Sequence, residues 1–91
     1  MKKEPIATDG APKAVGPYSQ GIASGDLVFV SGQVGIDPAS GAVADGIEAQ
    51  AERALRNVAA VLAAAGLGMA DVVKTTIWLT NAEHFGIVNE I

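Results

Sequence analysis

Apolar residues along this chain recur with two different periods. From Asp45 to Ala65 they fall at steps of three and four: Ile47, Ala51, Ala54, Leu55, Val58, Val61, Leu62 and Ala65 lie on one side, with Glu48, Glu52, Arg53, Arg56 and Asn57 on the other. This spacing predicts an amphipathic helix. Asp45 is its expected N-cap, Glu48 completes a capping-box-like pattern, and Gly66 is expected to stop it. From Asp71 to Thr80 the period is two, with Val73, Thr75, Ile77 and Leu79 alternating with Lys74, Thr76, Trp78 and Thr80, which predicts a strand. Leu27 to Val30 is a continuous β-branched and aromatic run, expected to form a strand covered on both faces.

The remaining elements follow from turn chemistry. Tyr18 to Ala23 reads as a strand and Ser24-Gly25-Asp26 as a short loop. Leu27 to Gln33 is then the returning strand of a hairpin, which brings Tyr18 and Ser31 toward one end of the sheet. Asp37-Pro38-Ala39-Ser40-Gly41 predicts a tight turn, after which Ala42 to Ala44 pairs back. Asn81 is the expected N-cap of a second helix with the apolar stripe Phe85, Val88 and Ile91. Met1 to Lys13, with two prolines and no apolar period, reads as an exposed lead-in, and Pro17 is expected to make Gly16 extended. Strand, helix and strand in this order are expected to form a right-handed crossover that places the helix over one face of the sheet. The last stripe is still running at Ile91, with no capping glycine after it, so the sequence is expected to lack the closing part of its domain.

Composition narrows the function classes. With 91 residues, 49% of them hydrophobic and 18% charged, the chain is expected to form a single globular domain over 1–91. A net charge of −4 gives no general attraction to phosphate backbones or anionic membranes, so neither nucleic acid nor membrane is an expected partner. Glu4, Pro5, Thr8 and Asp9 stand where a signal peptide would need apolar residues, and the expected location is the cytoplasm. There is no cysteine, which excludes disulfides and thiolate chemistry. A chain this small, without a covalent or metal staple, is expected to gain burial by oligomerising.

The candidate chemistry lies where the Leu27–Val30 run ends. Ser31, Gly32 and Gln33 place a hydroxyl, a bare stretch of backbone and an amide at the end of a rigid element. That arrangement suits either a small polar ligand or a local bulge whose side chains bond neighbouring backbone. Tyr18, the single tyrosine, is equally consistent with an aromatic packed at the sheet edge and with a ligand contact. Lys74 reads as a surface lysine rather than a Schiff-base former, and His84, the single histidine, has no histidine partner with which to build a metal site. No phosphate-binding loop, dinucleotide fingerprint or nucleophile elbow is present, so no cofactor or metal is expected.

Five stretches taken together resemble the RidA (YjgF) family of reactive-intermediate deaminases. They are Gly16-Pro17-Tyr18-Ser19-Gln20; Val30-Ser31-Gly32-Gln33 with Asp37-Pro38 and Gly41; Ala64-Ala65-Gly66; Val72-Val73-Lys74-Thr75-Thr76; and Phe85 with Val88-Asn89-Glu90-Ile91. The resemblance runs in register from about Ile6 to the last residue. It implies a chorismate-mutase-like α/β (α+β) sandwich, a mixed sheet covered on one face by two helices, with the core of a homotrimer on the other face and ligand clefts between subunits. It further implies cofactor-free hydrolysis of short 2-imino acids and their enamine tautomers, such as 2-aminoacrylate and 2-iminobutanoate, to 2-keto acids and ammonia. A noncatalytic ligand-binding or interaction module of the same fold is the alternative. Carried over by position, Tyr18 is the catalytic residue lining the cleft, Ser31 and Gly32 contact the substrate, and Asn89 lies on the cleft wall. The family's carboxylate-gripping arginine and water-handling glutamate fall beyond Ile91, and Arg53 and Arg56 are expected on an exposed helix face. The 91 residues alone are therefore expected to be unstable and inactive.

Overall fold

The computed structural model describes residues 2–91. Three strands, β1 (Lys3–Ile6), β2 (Gly21–Ser24) and β3 (Leu27–Val30), form an antiparallel sheet in that order. The segment read as an exposed lead-in therefore supplies an edge strand. Ile6 is apolar at the position opposite Gly21, so its side chain drops into the core while Lys3, Glu4 and Pro5 stay in solvent. β2 and β3 are joined by a tight turn with Gly25 at φ +59°.

Helix α1 (Ile47–Ala64) lies over one face of this sheet. Val61, fully buried, meets Ile6 and Ala11, with Ala23, Val28, Val30, Ala60 and Ala65 packed around them. Each apolar side chain of this size taken out of water contributes roughly 1.5–3 kcal/mol. The expectation that β3 is covered on both faces is corrected: Val28 and Val30 face the core, whereas Leu27 and Phe29 are exposed. The N-cap of α1 is Gly46, with no side-chain capping bond, rather than Asp45. At the other end Gly66 stops the helix as expected. Its φ of +78° lets its own N–H reach the carbonyl of Ala63 (3.0 Å) and that of Leu67 reach Leu62 (2.9 Å), a Schellman closure.

The Asp37–Gly41 turn also forms. The Asp37 carboxylate accepts from the Ala39 N–H (2.8 Å), Gly41 N donates to Asp37 O (2.8 Å), and Ile36 bridges Val43 antiparallel. Asn81 caps a short 3-10 turn (Ala82–His84) by accepting from Glu83 N at 2.9 Å, and this turn leads into α2 (Phe85–Asn89), which packs against α1. The exception is 71–80. After a 3-10 turn (Met69–Asp71), residues 72–80 join no sheet; Val73 is 93% exposed and Trp78 90%. The alternation there is that of a strand, but a strand needs a neighbour to accept and donate its ladder bonds, and none of the described residues supplies one. The two-helix α+β architecture is as expected, on a sheet that is wholly antiparallel among the described residues.

Candidate functional site

The polar end of the β2–β3 hairpin is built by backbone hydrogen bonds and two buried amides. The Ser31 N–H donates to the Gln20 carbonyl at 3.0 Å, extending the ladder one step past β3, and the Ser31 hydroxyl donates to the carbonyl of Ser19. Ser31 is thereby fastened to the segment that presents Tyr18, as the hairpin geometry requires. With its proton committed to Ser19, the Ser31 oxygen keeps lone pairs free to accept. Gln33 bonds locally as well, its amide donating to Ser31 O at 3.3 Å, so both side chains make the bonds to neighbouring backbone that the local alternative describes.

Gly32 follows with its Cα facing open space, since no heavy atom lies within 4 Å of where a Cβ would stand. The strand end is accessible on that side. Tyr18 is 51% exposed, so it is not a core aromatic of this chain. It follows a turn in which its N–H donates to Gly16 O at 2.9 Å. Gly16 stands at φ +107°, not the extended conformation expected before Pro17.

Tyr18, Ser19 and Gln20 line an open concavity of 530 Å³ together with Thr8, Asp9 and Lys13. Asn89 is placed elsewhere: it lies near the end of α2, exposed, on the helical layer. The structure thus brings Tyr18, Ser31 and Gly32 to one end of the sheet and leaves Asn89 on a separate element.

Two residues that the sequence pattern did not single out hold this end in place. Gln20 is 4% exposed and fully bonded. Its oxygen accepts from Thr8 N (2.7 Å) and its nitrogen donates to the carbonyls of Thr8 (3.0 Å), Ala11 (3.2 Å) and Pro12 (2.7 Å). Asn57, assigned above to the solvent side of α1, is instead fully buried. Its nitrogen donates to Val34 O (3.0 Å) and Ile36 O (2.9 Å), and its oxygen accepts from Arg53 Nε at 3.1 Å. Arg53 is accordingly half-buried rather than free on an exposed face, whereas Arg56 pairs with Glu52 in solvent at 2.7 Å.

The signal for Asn57 was present. It lies four residues before Val61 and three after Ala54, on the buried stripe itself. Gly35 completes the docking, because a Cβ there would stand 2.6 Å from the Cα of Gln50 in α1.

Among the described residues no helix is long and apolar enough to cross a membrane, and no three His, Asp or Glu side chains gather as metal ligands. The model of the family described as Endoribonuclease L-PSP matches residues 8–91. A 2-iminobutanoate/2-iminopropanoate deaminase from Salmonella typhimurium is 49% identical over 92% of this chain, which spans 66% of that protein, just under two thirds of its length. The crystal structure of the YjgF gene product of Escherichia coli is 42% identical and superposes with a TM-score of 0.93, covering 96% of this chain and 68% of that one. RidA from the Antarctic bacterium Psychrobacter is 44% identical with a TM-score of 0.93, covering 96% and 71%.

Proposed function

The chain belongs to the RidA (YjgF) family, and from that premise we propose that the whole protein hydrolyses short 2-imino acids and their enamine tautomers to 2-keto acids and ammonia. The observation that carries the reading is the accessible strand end formed by Tyr18, Ser31 and Gly32, in a chain 49% identical to a protein named for imine deamination. In the proposed reaction water adds to the imine carbon and its proton passes to nitrogen. The C–N bond of the resulting carbinolamine then breaks to release ammonia and leave the ketone. The Ser31 oxygen, whose proton is already given to Ser19, accepts from the substrate N–H. The Tyr18 hydroxyl hydrogen-bonds the reacting water or the departing nitrogen, and the bare backbone of Gly32 lets the planar imino acid approach. Asn89 would join this group only across subunits, as a residue of a neighbouring copy. The open sheet face carrying Ile22, Leu27 and Phe29 is the surface that a homotrimer would cover.

The family description also names a ribonuclease activity, but a net charge of −4 provides little electrostatic attraction for a polyanion. The test is to generate 2-aminoacrylate enzymatically beside the whole protein and follow ammonia and keto acid together. Acceleration of both in equal amounts over the buffer rate is expected. Absence of acceleration by a folded protein would leave the noncatalytic binding module as the better reading.

A further inference from the structure

Gln20 makes two kinds of contact at once. Its side chain ties down residues 8–12 through four hydrogen bonds, with Thr8 and Asp9 forming one wall of the concavity that Tyr18 lines. Its main-chain carbonyl receives the Ser31 N–H, and the residue before it receives the Ser31 hydroxyl. Tyr18 stands two residues before it on the same strap. We propose that Gln20 is a positioning residue: by fixing residues 8–12 with its side chain and Ser31 with its backbone, it sets where the Tyr18 and Ser31 hydroxyls stand relative to each other.

A glutamine suits this task because its oxygen accepts from one N–H while its two amide hydrogens are shared among three carbonyls. A carboxylate of the same shape can only accept, and it would face three carbonyl oxygens across the same distances. The strap between Gly16 and Ser19 has few other anchors: the Tyr18 N–H bonds within it, to Gly16, and only Ser19 is tied across to Ser31. Losing the side-chain bonds therefore frees the strap and the Ser31 end together, while the Val61–Leu62 part of α1 keeps its own helical bonds.

The proposal rests on the deaminase reading only for its kinetic test, so amide hydrogen exchange is measured first. In Gln20→Glu, exchange at Thr8, Tyr18 and Ser31 is expected to quicken about 10-fold or more while Val61 and Leu62 hold their rates. A rise confined to Thr8 would overturn the proposal, as would an equal rise at Val61 and Leu62. If Gln20→Glu does not fold, Gln20→Asn, which keeps the amide on a shorter stem, is read in the same way. In the kinetic test with 2-aminoacrylate, kcat per folded molecule is expected to fall on the order of 10- to 100-fold with KM nearly unchanged, the behaviour of misplaced groups. Gly66→Ala, which disturbs the remote end of α1, serves as a control and is expected to keep kcat. Unchanged kcat per folded molecule in Gln20→Glu would reduce Gln20 to a brace. A wild-type protein without deaminase activity would instead sink the functional reading, and the exchange data would still decide the role of Gln20.

Discussion

The chain up to Leu67 and the chain from Gly68 onward are held by different kinds of contact. In the first region a ladder of three strands, a Schellman closure and two buried amides satisfy backbone groups in both regular and irregular segments. In the second, residues 73–80 make no backbone hydrogen bond to any described residue, and Lys74 Nζ meets Thr76 Oγ1 at 3.2 Å on the surface. The comparison teaches that a strand is a relation between segments. β-Branched alternation makes 71–80 fit to pair, yet pairing requires a neighbour, whereas the pattern-free loops 8–12 and 33–36 become fixed because one glutamine and one asparagine answer their carbonyls.

The largest expected effect is at the clamp of the first region. Asn57→Leu keeps the volume but leaves the Val34 and Ile36 carbonyls without their donor, at an expected cost of about 2–4 kcal/mol in denaturant unfolding. A loss below ~1 kcal/mol would show that water replaces the amide and that the clamp is dispensable. Next is Gly35→Ala, which pushes a methyl into the α1 backbone at Gln50, for an expected loss of about 1–3 kcal/mol by the same measurement. The smallest effect belongs to the second region. In the 91-residue chain Trp78→Thr is expected to change stability by no more than about 0.5 kcal/mol. Trp78, the single tryptophan, should emit and be quenched like indole in water. A blue-shifted, protected tryptophan would break the contrast by showing that 71–80 is paired in solution.

Much of the first region was legible in the residues. The hairpin, the long helix and its glycine stop, the Asp37–Gly41 turn and the fastening of Ser31 to the segment that carries Tyr18 all follow from local period and turn chemistry. The edge strand Lys3–Ile6 was not, because a single inward side chain, Ile6, gives no alternation to detect. Polarity alone puts Asn57 in solvent, whereas its place on the Ala54–Val61 stripe puts it in the core, where a side chain with two donors and one acceptor can do what leucine cannot. Gln20 carried no periodic signal, since its partners are carbonyls 8 to 12 residues away in a loop. The unpaired state of 71–80 was beyond a local reading for the opposite reason: its own pattern is complete, and what is absent among the described residues is a neighbour.

The most direct test of the account is the turnover of enzymatically generated 2-aminoacrylate by the whole protein carrying Tyr18→Phe or Ser31→Ala. Glu52→Ala, at the solvent-exposed ion pair on α1, serves as the reference. If the strand end carries the chemistry, each of the first two variants folds and loses on the order of 100-fold in kcat, as removal of a positioned hydrogen-bonding or proton-transfer group does, while the reference keeps its rate. Wild-type kcat in both folded strand-end variants would contradict the account and place the reaction elsewhere in the molecule.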